Sequence, residues 1–219
     1  MGKNAVQAFR SSFNTIWCII MSKYPPPYHL DNDKLHLLEV VKTYPLATVI
    51  SVKDNKPLIT HLPLIYREID GKLIGHIDKF NPQSKLMKDD LDVTLIFSGP
   101  QSYISPSVYT TEQLPTWNYI KVHLTGTVEA IDSKLALKES LVKMTEFLEQ
   151  PDNKFVLEAD NPKMDIAINY ITMFEITINS WEGKFKLSQD KIPQDMANAR
   201  AELTRSNQES IELFLKKIF

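Results

Sequence analysis

The sequence has only one cysteine, Cys18, which excludes an internal disulfide and any metal cluster built from cysteines. A reducing compartment, the cytoplasm, is therefore expected. The sequence also lacks an H-E-x-x-H motif and any other recognisable spacing of metal ligands, so we predict no metal site. It has no G-x-S-x-G elbow, which leaves a nucleophilic hydrolase without support.

Excess positive charge and long apolar runs are also missing. The chain has 25 Lys and Arg against 27 Asp and Glu, for a formal net charge of −2, and no run rich in Lys or Arg. Non-specific affinity for DNA comes mainly from neutralised phosphates, so the residues themselves do not predict DNA binding. The apolar run Ile16–Met21 is too short to cross a bilayer, and we predict no membrane partner.

Glycine is scarce, with 6 residues against 13 prolines, which indicates stiff loops. The hydrophobic fraction of 43% and the charged fraction of 24% are typical of a soluble globular protein. A length of 219 residues fits one sizeable domain with an appendage, or two small domains.

The stretch from Phe97 to Gly126 is the most informative part of the chain. Two strand-like runs flank a loop rich in hydroxyls and aromatics, which is bracketed by Pro106 and Pro115. The dipeptide Gly99-Pro100 predicts a turn at the end of the first run. In the second run, apolar residues alternate with Lys121, His123 and Thr125, the pattern of a strand with one buried face. Long loops between strands are usually functional or disordered, and these aromatics and prolines favour a ligand or partner surface.

Strand and turn signals are frequent elsewhere. Asp31 or Asn32 is predicted to cap a helix that ends before Pro45. Strands are predicted at Leu46–Val52, Pro57–Tyr66, Lys72–Ile77, Asp92–Phe97 and Met173–Ile178; turns at Asp54-Asn55 and Asp70-Gly71; and helices at Asn81-Pro82, Ser133–Gln150, Pro162–Ile171 and twice within Ile192–Phe219. Pro63 predicts an edge strand or a bulge. At least six short strands predict a β-barrel or a sandwich.

Several motifs resemble those of one family. The runs GPQSYISPSVY and PTWNY, together with THLPL at Thr60–Leu64, GHIDKFNPQ at Gly75–Gln83 and WEGKFKLSQ at Trp181–Gln189, are similar to motifs of the PaiB-type proteins. These are bacterial regulators of the split-barrel superfamily that binds flavin mononucleotide (FMN). The resemblance covers about Tyr24 to Lys191. It implies an α+β, mainly β fold: an FMN-binding split β-barrel with peripheral helices and a helical C-terminal tail.

The resemblance also suggests a division of the chain. Residues 22–191 are expected to form the split barrel, and residues 192–219 a helical tail packed on or beside it. Residues 1–21 precede the region of resemblance and lack a cleavage site of the A-x-A type. We interpret them as an extension produced by a mis-assigned start at Met1, with Met21 as the true start. A targeting peptide is the alternative.

The resemblance places the FMN phosphate beside the helix start near Asn81. Asn81, Gln83, Ser84 and Lys85 fall where a helix N-terminus would offer N–H groups to an anion, and Lys85 adds a positive charge. A capped helix with a solvated lysine explains the same residues without any ligand.

Other residues in the similar motifs are candidates for the rest of the flavin. Thr60, His61 and His76 lie on two predicted hairpin strands, and an imidazole can both donate to and accept from a flavin edge. Trp117 and Tyr119 offer aromatic walls beside the Asn118 amide, although such residues also occur in cores. The remaining candidates follow Gly183 and would form a phosphate or dimer contact, or an exposed strand face: Lys184, Lys186, Ser188 and Gln189.

The function implied by the resemblance is an FMN-binding, homodimeric, cytoplasmic protein of the PaiB type that acts as a negative transcriptional regulator. DNA enters as a partner only through this resemblance. Two other functions remain open: a flavin-dependent oxidoreductase or flavin reductase, and a split barrel that lacks cofactor and serves as an interaction module. Fold alone does not decide among them.

Overall fold

The computed structural model describes residues 24–208, which contain seven strands and four α-helices. The strands are β1 (Leu30–Asp31), β2 (Leu46–Lys53), β3 (Lys56–Arg67), β4 (Lys72–Asp78), β5 (Asp92–Ile104), β6 (Thr116–Ile131) and β7 (Ile171–Lys186). The helices are α1 (Lys34–Thr43), α2 (Lys134–Leu148), α3 (Pro162–Ala167) and α4 (Pro193–Gln208), with short 3-10 helices at Pro27–His29, Pro82–Leu86 and Pro106–Val108.

These residues fall into two compact units. Unit 1 contains residues 24–31, 100–120 and 183–208, and unit 2 contains residues 32–99 and 121–182. Within unit 2 the strands follow the order β7-β4-β3-β2-β5-β6, and a further pairing of β7 with β6 closes the sheet. The pairs β2–β3, β2–β5, β3–β4 and β4–β7 are antiparallel. The predicted α+β, mainly β fold class is confirmed.

The closed sheet has an apolar inner face, as expected for strands that alternate buried and exposed residues. Six strands contribute inner side chains that have no solvent exposure: Val49, Leu64, Leu73, Leu95, Phe97, Leu124, Phe174 and Ile176. Burial of each such side chain contributes about 1.5–3 kcal/mol, so this core is the main source of stability in unit 2.

The outer face of the same sheet is covered over only part of its area. Helix α2 packs on the β3, β4 and β7 side, where Leu137 joins Met164, Ile168 and Met173 in a second apolar cluster. On β2 and β3 the outer face stays open, and Leu46 and Ile59 are 61% and 56% exposed. The open part of the outer face therefore exposes large apolar side chains.

In unit 1, β1 pairs with β7 through Leu30–Lys184 and Asp31–Gly183. Helix α4 buries Ala199 and Leu203. The loop between β5 and β6 contains the 3-10 helix Pro106–Val108, which Ser105 caps by accepting a hydrogen bond from the Ser107 N–H. Two prolines and a capped turn give this loop a defined course.

Most turn signals correspond to turns in the structure. Asp54 and Asn55 both have positive φ, at 51° and 59°, as a two-residue hairpin turn requires. Gly71 has φ of 73° in the turn between β3 and β4. The cap of α1 differs from the prediction: Asp33, not Asp31 or Asn32, accepts from the Leu35 N–H, because the helix begins at Lys34.

Two proline predictions were wrong. Pro63 lies inside β3, between β2 and β4, without a bulge. The next residue, Leu64, donates to Pro45 O on the β2 side, so the missing N–H of Pro63 points toward β4, whose pairing with β3 begins only at Leu64. Gly99-Pro100 continues β5 and is not a turn. Pro100 lies past the last β2–β5 pair, Thr48–Ile96, and so interrupts no bond to β2.

The predicted extension 1–21, with Cys18, lies outside the described residues. So does the second predicted tail helix beyond Gln208, and the division into a barrel at 22–191 and a tail at 192–219 stays a prediction. Within residues 24–208, no helix is both long and apolar enough to span a membrane.

Candidate functional site

The predicted phosphate cradle is a turn whose polar groups mostly bond to one another. The helix that begins at Pro82 is a 3-10 helix of 5 residues. Asn81 accepts from the Gln83 N–H at 2.9 Å through its side chain, and from the Ser84 N–H at 2.9 Å through its carbonyl. Its Nδ2 donates to Thr60 Oγ1 at 3.0 Å. The N–H groups expected to hold an anion are therefore already bonded within the turn.

Gln83 and Ser84 are also engaged in this turn. Gln83 is 1% exposed, and its Nε2 lies within hydrogen-bonding distance of Val49 O, Ser51 Oγ and Leu58 O, at 3.0–3.2 Å. Ser84 donates from Oγ to Lys79 O at 3.0 Å. Lys85 is exposed, and its ammonium has no bonded partner in the part of the chain that the structure describes. Of the four predicted residues, Lys85 has the group available for an anion.

The two candidate histidines occupy different environments on the outer face of unit 2. His61 is exposed on the open part, with Nδ1 3.1 Å from Thr48 Oγ1 of the paired strand β2. His76 lies under α2, with Nε2 2.7 Å from Ser140 Oγ. Burial lowers the pKa of His76 to about 4, so its imidazole is neutral at pH 7. The open face presents one histidine, His61, and the helix covers the other.

The half-buried His76 makes stability depend on pH. Its pKa of about 4 lies below the usual value near 6.5, so below pH 6.5 the unfolded chain binds a proton that the folded chain does not. We expect this to lower the free energy of unfolding by roughly 2.5 kcal/mol between pH 7.5 and pH 4.5. In His76→Gln, which cannot titrate, this part of the pH dependence should vanish. Urea unfolding of both proteins at the two pH values checks it, and parallel pH profiles would contradict it.

Lys121 is a candidate that the sequence reasoning did not select. It lies on β6, is half-buried, and has no bonded partner among residues 24–208. Burial lowers the pKa of its ammonium. A desolvated cation without a counter-ion favours an anionic ligand. The alternating pattern of the sequence put Lys121 and His123 on the same face of the strand. The burial of Lys121, however, depends on neighbouring strands, which local patterns do not reveal.

Three side chains of unit 1 form a closed hydrogen-bonded group. Asn118 and Ser188 are 1% and 3% exposed, and Asn118 Nδ2 lies 3.1 Å from Ser188 Oγ. The Tyr109 hydroxyl completes the group at 3.0 Å from the same oxygen. Ser188 has φ of 63°, a left-handed conformation rare for serine. The group holds the loop and the end of β7 in one arrangement, and Tyr109 was not among the predicted residues.

The other polar candidates of unit 1 have partners as well. Gln189 folds back on its own loop: Oε1 accepts from the Leu187 N–H at 2.7 Å, and Nε2 donates to Phe185 O. Lys186 donates to Thr116 Oγ1 at 2.7 Å. The Lys184 ammonium lies 5.5 Å from the centre of the Tyr24 ring, a cation–π distance. These contacts stabilise the loop, and the Lys186 ammonium uses one of its three N–H donors in the bond to Thr116.

Asp195 is a buried carboxylate that fixes the β5–β6 loop within unit 1. It has no solvent exposure, and it accepts from the Thr110 N–H at 2.6 Å, Thr110 Oγ1 at 2.8 Å and Thr111 Oγ1 at 2.5 Å. Burial raises the pKa of Asp195, but the hydrogen bonds from Thr111 and Thr110 outweigh burial and leave it lowered. No local pattern in the sequence linked Asp195 to a loop 85 residues earlier.

The two aromatic candidates of unit 1 differ in exposure. Trp117 is 51% exposed, and its ring centre lies 6.4 Å from that of Tyr103, itself 49% exposed. Tyr119 is half-buried, and burial, followed by the neighbouring Tyr24, raises the pKa of its phenol. Trp117 and Tyr103 therefore offer aromatic surface for stacking.

Each unit, considered by itself, has side chains whose chemistry suits parts of an FMN molecule. Unit 2 has cations without partners in Lys85 and Lys121, and an exposed imidazole–hydroxyl pair in His61 and Thr48. Unit 1 has exposed aromatic rings and a cation in Lys186. A phosphate requires cations, a flavin ring edge requires hydrogen-bonding groups, and its face requires an apolar wall. Within residues 24–208, no group of three His, Cys, Asp or Glu is arranged to hold a metal ion.

The chain is similar in sequence to proteins of an FMN-binding family. A family model described as "Putative FMN-binding domain" matches residues 23–180. The chain is 29% identical over 183 residues to the protein named protease synthase and sporulation protein PAI 2 of Bacillus subtilis, an alignment that covers 82% of this chain and 88% of that protein.

Solved structures share the fold. An FAD and heme binding protein from Mycobacterium smegmatis superimposes with a TM-score of 0.60 at 20% identity, covering 77% of this chain and 79% of that one. The flavocytochrome Anf3 from Azotobacter vinelandii gives a TM-score of 0.55 at 21% identity, covering 78% of this chain and 75% of that one. At these identities the likeness concerns the fold.

Proposed function

The chain belongs to the family described as putative FMN-binding domains, and from this membership we propose that it is an FMN-binding regulator of the PaiB type. The match over residues 23–180 carries the assignment of FMN, since it covers every strand of the sheet at least in part. The regulatory role rests on the likeness to the Bacillus protein, whose name refers to protease synthase and sporulation. The single cysteine favours the cytoplasm as its compartment.

Different residues of unit 2 are assigned to the phosphate and to the ring edge of FMN. We assign the phosphate to Lys85, because its ammonium is exposed and has no bonded partner among the described residues. Lys121 supplies a second, partly desolvated positive charge for an anionic part of the ligand. His61, oriented by Thr48, offers a ring nitrogen to the flavin edge. Asn81, Thr60, Gln83 and Ser84 then act by holding the turn that carries Lys85.

In unit 1, considered by itself, Trp117 offers an exposed ring for stacking on a flavin, and Lys186 offers a positive charge. Asn118, Ser188 and Gln189 fix the loop from which these groups project. Tyr119 adds a half-buried phenol. When bound, FMN supplies a ring that accepts electrons, and the protein's part is to bind that ring and limit its contact with water.

The phosphate assignment predicts selectivity for FMN over riboflavin. A hydrogen bond to a charged group contributes about 1.5–3 kcal/mol, so one such bond predicts at least about tenfold tighter binding of FMN. Lys85→Met should remove most of this preference and leave the affinity for riboflavin nearly unchanged. Fluorescence titration with both flavins measures it, and high salt should reduce the preference.

Lys88→Met is the matched control, because Lys88 is also exposed and follows the same 3-10 helix. It should keep the preference for FMN. Equal affinity of the wild type for FMN and riboflavin would refute the phosphate assignment. If Lys85→Met and Lys88→Met lost the same share of the FMN preference, that preference would come from general electrostatic attraction and not from a contact with Lys85.

The regulatory role is tested separately from flavin binding. A regulator should bind a DNA fragment or a protein partner and should not consume NAD(P)H. Steady turnover of NAD(P)H with FMN bound would support the flavin-dependent oxidoreductase. A protein that stays colourless after addition of FMN would support the interaction module. Absorbance spectra with and without FMN, followed by an NADH and NADPH assay, distinguish the three.

We also propose that the protein is a homodimer that uses the open outer face of unit 2. Leu46, Ile50, Ile59 and Ile96 share this face around Thr48, and two of them are more than half exposed. Covering such a surface favours association. Ile59→Glu should convert a dimer into a monomer at micromolar concentration in light scattering. Lys56→Glu, at the exposed start of β3, is the control and should leave a dimer; a monomeric wild type would contradict the proposal.

A further inference from the structure

A groove of about 530 Å³ lies on unit 2 where β2 ends. Its wall combines two apolar residues of β2 with polar residues of β5, β6 and β7: Ile50, Val52, Asp92, Thr94, Thr125 and Asn179. The volume is in the range of small-molecule sites. None of the residues assigned above to FMN lines it, so the groove requires its own explanation.

Hydrogen-bond direction determines what the groove offers. Thr127 Oγ1 lies 3.2 Å from Asp92 Oδ1, and a carboxylate only accepts, so the Thr127 hydroxyl donates its proton to Asp92. Thr127 Oγ1 then accepts from Asn179 Nδ2 at 2.9 Å. This relay uses the Thr127 proton and one amide N–H of Asn179. It leaves Asp92 Oδ2 and Asn179 Oδ1 as acceptors.

The groove is negative as well as rich in acceptors. No Lys, Arg or His is among the described residues that line it, and Asp92 has no cationic partner within residues 24–208. An aspartate carries a negative charge at neutral pH. Val52 is 62% exposed and, with Ile50, gives an apolar surface beside the carboxylate. A ligand that satisfies these groups is a cation with several N–H donors and an aliphatic body.

We propose that this groove binds an aliphatic primary amine, with the ammonium held by Asp92 and Asn179 and the chain lying on Ile50 and Val52. An ammonium has three donors and no acceptor, which matches the groove. Because Thr127 already occupies one carboxylate oxygen, Asp92 cannot form an unshared bidentate pair with a guanidinium. The negative charge of Asp92 repels a phosphate, so the groove should favour the cationic amine and disfavour the FMN phosphate.

Isothermal titration at low salt with n-hexylamine, and with 1-hexanol as its uncharged counterpart, tests the proposal. At neutral pH the wild type should bind the amine at least about tenfold more tightly than the alcohol. Asp92→Asn keeps the shape of the side chain and should weaken amine binding about tenfold, while thermal unfolding confirms that it is folded. Asp54→Asn is the matched control, because an exposed turn position with φ of 51° tolerates asparagine.

Equal binding of amine and alcohol, or equal amine affinity in the wild type and Asp92→Asn, would overturn the proposal. Loss of amine binding on saturation with FMN would assign the groove to the flavin instead. Ile50 borders both the groove and the proposed dimer surface, so the titration is repeated with Ile59→Glu. Unchanged affinity supports a site within one chain, and lost affinity would overturn that site.

Discussion

Gly126→Ala is expected to lower the free energy of unfolding by about 3 kcal/mol, the upper end of the range for overpacking a core. Gly126 lies on β6, where β6 and β7 close the sheet of unit 2. A Cβ at this position would lie 2.8 Å from Thr177 O and would also overlap the Ile176 side chain. Ile176 has no solvent exposure, and a backbone carbonyl cannot move aside without parting the two strands. Denaturation in urea, with the wild type in parallel, measures the loss.

The control for this prediction is Thr125→Ala, on the same strand but exposed. It removes a hydroxyl that lies 2.6 Å from Ser180 Oγ at the surface, and it should cost less than about 1 kcal/mol. A cost for Gly126→Ala as small as that of the control would show that β6 and β7 separate easily. The closure of the sheet would then contribute little to stability.

Glu175→Gln is expected to lower the free energy of unfolding by about 3–5 kcal/mol, the range for breaking one side of a buried ion pair. The Glu175 side chain is 10% exposed on β7. Its Oε1 accepts from Arg67 at 2.6 Å, and its Oε2 accepts from Arg67 at 2.8 Å and from Lys72 at 3.1 Å. The substitution leaves two cations facing an amide. Because Arg67 also bonds Asp70, the loss should fall at the lower end of the range.

Glu129→Gln is the matched control. Glu129 bonds the same lysine, with Oε2 2.6 Å from Lys72 Nζ, but its side chain is 54% exposed. Exposed pairs contribute about 0–1 kcal/mol, so the change should be small. Equal losses in the two variants, measured by urea unfolding at pH 7, would show that burial does not strengthen the Glu175 pairs.

The stability lost in Glu175→Gln should also depend on pH. Hydrogen bonds from Arg67 and then Lys72 lower the pKa of Glu175. A carboxylate with a lowered pKa stabilises the fold above its unfolded pKa, near 4.3, and loses this contribution as the pH falls through its folded pKa. The difference in stability between wild type and Glu175→Gln should therefore narrow in acid. A constant difference from pH 7 to pH 3 would refute the charged role of Glu175.

The candidate site was predictable as a set of residues but not as a set of contacts. Lys85 and His61 were both selected from motifs. In the structure Lys85 has no bonded partner among the described residues, and His61 lies on the open outer face. His76 was selected for the same reason, yet α2, which comes some 60 residues later, covers it. Gln189 was also selected, and its amide is used within its own loop. Whether a polar side chain is free or engaged depends on how the chain folds around it, within its own loop for Gln189 and under a distant helix for His76.

The sequence by itself determined the strands, most of the turns and the family, because these depend on residues close together in the chain. Asp54-Asn55 and Gly71 adopt positive φ by their own preferences, and alternating apolar residues form a strand wherever one face is buried. Only the tertiary structure decided that Pro63 lies inside the sheet, that Lys121 is half-buried, and that Asn118 bonds Ser188 from 70 residues away. Burial and hydrogen-bond partners are set by which distant segments pack together, and local preferences carry no information about that packing.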